Sequence, residues 1–454
     1  MPNAELSQIV KAYDVRGVVP GQWGEREAEL FGAAFVTVTE ATAIVAGHDM
    51  RPSSPGLAAA FARGATARGA DVTLIGLCST DELYYASGTL GLPGAMFTAS
   101  HNPARYNGIK MCRAGASPVG METGLQEIAE LVSGWAESGT PAPVPAPGTV
   151  AEVDLLPGYA EYLRSLAGPV VRPLKVVVDA GNGMGGHTAP AVLGALPLDV
   201  VPLYFELDGT FPHHEANPLD PKNIVDLRRR VVAEHADLGL AFDGDADRCF
   251  VVDEKGDPVS PSAVTALIAS RELDRNGGHG TVIHNLITSW SVPETIREHG
   301  GTPVRTRVGH SFIKQRMAET GAIFGGEHSA HYYFRDFWNA DTGMLAALHV
   351  LATLSAGQAP LSRLVGEYNR YSASGEINST VDDQAGRLAG IRAAYGNTPG
   401  IEMDGLDGLT VTAKDWWFNL RPSNTEPLLR LNVEARDQAT MERIRDEVLG
   451  RIRV

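Results

Sequence analysis

Val176-Val177-Val178-Asp179-Ala180-Gly181-Asn182-Gly183-Met184-Gly185-Gly186 is the stretch from which the fold class follows. A short β-branched run closing on glycines reads as a buried strand turning into a helix. The next apolar strand ends near Phe205-Glu206, after a proline-broken helix. The same strand-turn-helix-strand unit recurs from Thr42 to Leu77 and from Gly280 to Thr306, so residues 174–205 belong to one of three related α/β layers followed by a different tail. The glycines also satisfy Gly-x-Gly-x-x-Gly. No clean strand ending in Asp or Glu follows at the distance a dinucleotide fold needs, so they read as strand-to-helix turn chemistry and not as an NAD site.

A chain of 454 residues, 44% hydrophobic, can bury several cores, and three or four domains are expected. Periodicity is lost between Ser138 and Val150, where Gly, Pro, Ala and Thr dominate, and this stretch reads as a linker between the first two domains. Softer breaks fall near Glu254-Lys255-Gly256 and between Tyr371 and Gly375. The domains predicted from these breaks are 1–146, 147–254, 255–370 and 371–454.

Outward from the second layer lies Asp243-Gly244-Asp245-Ala246-Asp247-Arg248, pinned between the strand-like runs Leu238 to Phe242 and Cys249 to Asp253. Carboxylates at i, i+2 and i+4 in an irregular segment can converge three hard oxygen donors on one centre, a set suited to Mg²⁺. Without a cation, three buried carboxylates would repel one another. Glu254 stands at the twelfth position from Asp243, as in a calcium-binding EF-hand loop. Position six is Arg248 in place of glycine, however, and the flanks are strands in place of helices, so calcium sensing is set aside.

Thr98-Ala99-Ser100-His101-Asn102-Pro103 follows the apolar run Gly94 to Phe97 and precedes Tyr106-Asn107-Gly108-Ile109-Lys110. Ser100 is thereby placed on a loop at a strand end. A seryl hydroxyl is a poor nucleophile until a base or cation assists it, whereas a phosphoserine beside Mg²⁺ is a natural phosphoryl donor. The serine and acidic segments make chemical sense together. His101 and Lys110, close to Ser100 in sequence, are the candidate proton carriers.

Two later loops complete the set. Glu327 and Ser329, in Gly326-Glu327-His328-Ser329-Ala330-His331, offer acceptor and donor groups that read vicinal sugar hydroxyls, on a loop expected between a strand and a helix. Arg421, Ser423, Asn424 and Thr425, after the apolar strand Trp416 to Leu420, form a compact donor set suited to a phosphate.

In their order and spacing these four motifs resemble the signatures of the α-D-phosphohexomutases, and the resemblance spans essentially the whole chain. It implies three similar α/β domains with mixed sheets plus a smaller C-terminal α+β domain, with one motif on each domain and a catalytic cleft between them. It further implies that phosphorylated Ser100 gives its phosphoryl group to a hexose phosphate, and that the resulting hexose 1,6-bisphosphate turns over and returns its other phosphoryl to the serine. Asp243, Asp245 and Asp247 would hold Mg²⁺ together with the serine phosphate, with Arg248 close to the same group. Glu327 and Ser329 would bind ring hydroxyls with His331 nearby, and the Arg421 loop would take the phosphate not being transferred. Tyr13 and Arg16, in Tyr13-Asp14-Val15-Arg16-Gly17, would line the phosphoserine side. Gly309 and His310, in Val308-Gly309-His310-Ser311, would contact substrate from the third domain. His328 and Ala330 stand where many relatives carry Met and Gly, and Asn424 where phosphoglucosamine mutases more often carry Gly.

Charge narrows the partners. With 38 Lys plus Arg against 54 Asp plus Glu the net charge is −16, which disfavours nonspecific nucleic-acid binding. An anionic substrate then needs a local basic patch, for which Arg16, Lys110, Arg248 and Arg421 are the candidates. The three cysteines, Cys78, Cys112 and Cys249, form no Cys-x-x-Cys and suit a reducing compartment. His213-His214 has no metal-ligand spacing around it and reads as a loop feature. No stretch approaches eighteen apolar residues, and the N-terminus lacks a basic segment leading into an apolar core. The expectation is a cytoplasmic enzyme, monomer or dimer, with no membrane partner: a phosphomannomutase, open also to glucose phosphates. The alternatives are a phosphoglucosamine mutase, a Mg²⁺-dependent sugar-phosphate phosphatase and a noncatalytic sugar-phosphate sensor.

Overall fold

The computed structural model describes residues 3–139, 142–396, 398–423 and 428–453. They form two compact units, one of residues 1–259 with 329–362 and one of 260–328 with 363–454.

The first unit opens with strands β1 (Val15–Val18), β2 (Ala43–His48), β3 (Asp71–Leu77), β4 (Gly94–Phe97), β5 (Tyr106–Arg113), β6 (Ser117–Pro118) and β7 (Val150–Glu152). Their order is β1-β5-β4-β2-β3-β7, with β6 on β5. The pairs among β2, β3, β4 and β7 are parallel, while β5 runs antiparallel to β1 and β4. A second mixed sheet in this unit comprises β8 (Leu174–Asp179), β9 (Leu198–Leu203), β10 (Leu238–Phe242), β11 (Cys249–Asp253) and β12 (Pro258–Val259), in the order β12-β11-β10-β8-β9. The β-branched run at 176–178 is wholly buried between its neighbours, as a central parallel strand requires.

In the second unit β13 (Thr281–Asn285) pairs in parallel with β14 (Thr302–Thr306) and β15 (Phe324–Gly326). The first unit also carries the antiparallel hairpin of β16 (Tyr332–Phe334) and β17 (Ala340–Asp341). The C-terminal sheet is antiparallel throughout, β18-β22-β21-β20-β19, from β18 (Ser372–Thr380), β19 (Glu402–Asp404), β20 (Leu409–Thr412), β21 (Trp416–Pro422) and β22 (Leu428–Ala435). Ile391 and Tyr395 of the helix Gln384–Tyr395, and Met441, Ile444 and Val448 of the helix Gln438–Ile452, close its core. The α/β class, the three related layers and the distinct tail are all present.

Two local expectations are corrected. The helix Gly185–Leu193 runs through Pro190 unbroken. Pro190 lacks the amide that would donate to Gly186 O, and the helix carries on past it to Leu193 at the cost of that one bond. The sugar-loop motif leads into β16, a strand, because Tyr332-Tyr333-Phe334 is buried on both faces. The stretch read as a linker between the first two domains is anchored on the first: Val144 N and Gly148 N donate to Ala67 O and Thr66 O of the helix Ser54–Ala67, Val72 N donates to Thr149 O, and β7 extends the sheet beside β3. Its Pro- and Gly-rich composition suits an edge strand as well as a tether.

Core packing fixes where β4 ends. Helices Glu25–Thr39 and Ser54–Ala67 approach so closely that a Cβ on Gly32 would lie 2.0 Å from Phe61 O, and one on Gly64 1.9 Å from Glu29 O. That contact lets Phe61 stack edge-on against Phe97, with ring centroids 5.4 Å apart. Burying such a ring contributes about 2–3 kcal/mol. Phe97 is the last residue of β4, so the same packing anchors the loop that carries Ser100.

Candidate active site

Ser100 adopts a left-handed backbone, φ 50°, and is 4% exposed. Its hydroxyl donates to Asp243 Oδ2 at 2.9 Å and lies 3.2 Å from His101 Nδ1. The serine and acidic loops interlock as their chemistry demanded. A Cβ on residue 244 would meet Ser100 O at 2.4 Å, so only glycine lets the acidic loop pass. Behind it, Met184 N donates to Gly244 O at 2.9 Å, and a Cβ on Gly183 would lie 2.7 Å from that oxygen. The glycine-rich turn after β8 thus packs against the acidic loop through Gly183 and Met184.

Asp243, Asp245 and Asp247 are buried and each offers an oxygen within 4.8 Å of the others. Two cations answer them. Arg248 donates from Nε to Asp243 Oδ2 at 2.9 Å. Lys110 Nζ lies 2.7 Å from Asp245 and 2.5 Å from Asp247. With all three ionised, the carboxylates against two cations leave one negative charge, and Asp245 Oδ1 and Asp247 Oδ1 have no hydrogen-bond partner among the described residues. A hard divalent cation fits this donor set, with Lys110 holding part of the charge such an ion would supply. Asp247, His331 and Asp341 make a second group of potential ligand atoms within 4.8 Å.

Electrostatics differ across the triad. Burial pushes the Asp243 carboxyl up to about 7 against the pull of Arg248. Burial would raise Asp245 too, but Lys110 outweighs it and holds this carboxyl well below the usual range. Burial, then Arg248 and Arg16, holds the His101 imidazole well below its ordinary pKa, which favours the neutral ring beside Ser100. Lys110 retains its proton: burial opposes it, but Asp245 and Asp247 raise its pKa overall. In this arrangement Lys110 stays charged beside two carboxylates, while the His101 ring beside Ser100 stays neutral.

The remaining candidates fall as follows. Arg16 donates to Asn102 Oδ1 at 2.7 Å and pairs with Asp14, which ties it to the serine loop. Tyr13 lies half-buried just before β1. His331 receives or gives a hydrogen bond with Ser329 through Nδ1 at 2.9 Å, and its Nε2 is 3.6 Å from Asp247 Oδ1. In the second unit Glu327 Oε2 accepts from Asn285 Nδ2 at 3.1 Å and from Gly309 N at 3.3 Å, so the end of β13 and the turn opening the helix His310–Thr320 converge on one carboxylate. His310 is half-buried at the first position of that helix. Arg421 donates to Glu376 Oε2 at 2.7 Å, while Ser423 is fixed by its amide on Leu428 O at 2.8 Å. Asn424 and Thr425 lie outside the described residues. Arg16, Lys110 and Arg248 thus gather around the serine loop, and Arg421 belongs to the second unit.

Two residues passed over in the sequence belong to this site. Thr80 donates from Oγ1 to Asp245 Oδ2 at 2.7 Å and from its amide to Asp245 O at 3.1 Å. Arg51 grips the serine loop from below. The only sequence signal was the pairing of Asp49 with Arg51 directly after an apolar strand. His214, read as a loop feature, lies with Nε2 3.1 Å from Asp179 Oδ2 at the end of β8, a structural pair.

Comparison with known proteins gives one answer along the whole chain. Models of the phosphoglucomutase/phosphomannomutase domains match in order: alpha/beta/alpha domain I at residues 7–138, II at 157–256, III at 260–371 and the C-terminal domain at 376–451. A Xanthomonas campestris pv. campestris protein described as a phosphohexose mutase is 40% identical over 449 residues, 97% of this chain and 98% of its own. A phosphomannomutase of Salmonella montevideo is 40% identical over 451 residues, 97% of each chain. The crystal structure of a phosphoglucomutase/phosphomannomutase family protein from Burkholderia thailandensis superposes with a TM-score of 0.88 at 31% identity, covering 98% of this chain and 97% of that one.

Proposed function

Because the chain belongs to the phosphoglucomutase/phosphomannomutase family, we propose that it interconverts mannose 6-phosphate and mannose 1-phosphate, open also to glucose phosphates, through a phosphoserine at Ser100 and a hexose 1,6-bisphosphate. The observation that carries this reading is the contact of Ser100 Oγ with Asp243 inside a convergent aspartate triad. A hydroxyl placed so is held where a phosphoryl group on it would face both a cation site and Arg248.

Asp243, Asp245, Asp247 and the phosphoserine would hold Mg²⁺, which when bound offsets charge on the transferring group. The substrate's free hydroxyl attacks phosphorus, the P–O bond to Ser100 breaks, and a new P–O bond forms on the sugar. Neutral His101 takes the hydroxyl proton and returns it to Ser100 Oγ as that oxygen leaves. Arg248 stays on the acidic loop beside the transferring group, donating to its oxygens. After the bisphosphate reorients, the same steps run in reverse from its other phosphate. Glu327, Ser329 and His331 would read the ring hydroxyls, with Gly309 and His310 alongside. Arg421, Ser423, Asn424 and Thr425 would hold the phosphate not in transfer, Arg421 exchanging Glu376 for it. Tyr13 and Arg16 would border the phosphoserine.

The test is turnover with Mg²⁺ and a trace of hexose 1,6-bisphosphate on mannose 1-phosphate, glucose 1-phosphate and glucosamine 1-phosphate in parallel. Isomerisation of mannose 1-phosphate, with or without glucose 1-phosphate, is expected. Preference for the amino sugar would move the protein to the phosphoglucosamine mutases. Release of free phosphate without an isomer would make it a phosphatase, and binding without turnover a sensor.

A further inference from the structure

Arg51 is 1% exposed, yet every N–H of its guanidinium has an acceptor. Nε donates to Asp49 Oδ2 at 3.1 Å. Nη1 donates to Pro103 O and Tyr106 O, each at 3.0 Å, and Nη2 to Ser100 O at 2.9 Å and Asn102 O at 2.7 Å. Four of these acceptors are main-chain oxygens of the segment 100–106, which leaves β4 and enters β5. Only a planar fork with five donors can gather so many carbonyls at one point.

The clamp is itself held. Asp49 Oδ1 accepts from Arg51 N at 3.0 Å and from Ser54 Oγ at 2.6 Å, and Ser54 Oγ accepts from Asn107 Nδ2 at 2.9 Å. The ring of Phe211 lies 5.1 Å from the guanidinium carbon. Ser100 O is therefore gripped by Arg51 on one side and abutted by Gly244 on the other. With that oxygen fixed and φ held at 50°, the backbone from which Ser100 Oγ reaches Asp243 is held in place.

We propose that Arg51 is a positioning residue for phosphoryl transfer: through the carbonyls of the serine loop it holds Ser100 Oγ at its distance from Asp243, and it takes no part in binding the hexose phosphate. The inference rests on the mutase reading, so wild-type isomerisation is measured first; its absence would fail that reading and not this one.

The decisive variant is Arg51→Lys, which keeps the charge beside Asp49 but cannot reach four carbonyls. Melting temperature, steady-state kinetics and single-turnover transfer from Ser100-phosphorylated enzyme to mannose 1-phosphate are compared with wild type. Expected is a folded protein whose kcat and single-turnover rate fall together by about 100-fold, the scale of a small misplacement of a reacting atom, with KM unchanged. Unchanged single-turnover transfer, a loss confined to KM, or a kcat loss accounted for by the unfolded fraction would each overturn the proposal. Should Arg51→Lys fail to accumulate folded, Asp49→Asn, which loosens the clamp through one bond, must show the same kcat-only loss, smaller in size. Wild-type kinetics in that variant would also overturn it.

Discussion

Ser100 and Asp243 stand 143 positions apart in the chain and meet across 2.9 Å, hydroxyl to carboxylate. Two mixed sheets, each built around a parallel core, are needed to bring them together, and neither residue does anything distinctive without the other. Ser100→Ala removes the oxygen that carries the phosphoryl group, leaving the triad and Arg248 in place. Turnover is expected to fall by roughly 10³-fold or more. Label from ³²P-bearing hexose bisphosphate should no longer enter the protein, and retained labelling would place the phosphorylated residue elsewhere.

Thr80 supports Asp245 from outside the triad through two bonds. Thr80→Val keeps the shape and deletes the hydroxyl. Groups that orient a metal ligand in this way are typically worth about 10–100-fold in metal affinity or activity. A Mg²⁺ titration of turnover should therefore shift to higher concentration, with the plateau largely recovered at saturation. A curve superimposable on wild type would show that Asp245 needs no such support.

Glu82 and Asp81 form a buried acidic pair at the start of the helix Thr80–Leu90. Burial pushes Glu82 up to about 8, with Asp81 adding to it, and pushes Asp81 up to about 7. A carboxyl whose pKa is higher folded than unfolded holds its proton more tightly in the native state. Its contribution is thus complete below the unfolded pKa and lost as pH rises through the folded one. Stability of the metal-free protein should decline from about pH 5 to pH 8 for this reason. Glu82→Gln should flatten that decline, leaving the share due to Asp81 and Asp243. Melting temperatures across the range in EDTA decide it, and an unchanged slope would remove Glu82 from the account.

Gly64 faces Glu29 O so closely that a Cβ would sit 1.9 Å away. Gly64→Ala gains helix propensity but must push two helices apart, and the overpacking dominates, costing about 1–3 kcal/mol. Urea unfolding measures it. Because those helices seat Phe61 against Phe97, some loss of turnover should accompany the loss of stability.

Much of this is legible in the sequence. The acidic loop between two apolar runs, and the serine loop after a third, carried their chemistry in residue type and spacing, and Lys110 and His101 lie beside Ser100 in the chain. The fold class followed from repeated strand-turn-helix-strand units, since buried parallel strands write themselves as β-branched runs. Arg51 and Thr80 were not legible, because each acts on main-chain or carboxylate oxygens that only tertiary packing delivers. The extra edge strand at Val150–Glu152 escaped notice because an edge strand pairs through its backbone and needs no apolar pattern. The strand after His331 was missed because three residues give too little alternation to read.

That edge strand bears on how the protein can be taken apart. A fragment carrying the serine loop and cut where the helix Leu125–Ser138 ends would leave the flank of β3 without its neighbour. Open flanks of this kind recruit other chains. A soluble piece for isotope labelling or phosphoserine chemistry should run at least to Glu152, and its tendency to self-associate should rise sharply when the last dozen residues are trimmed.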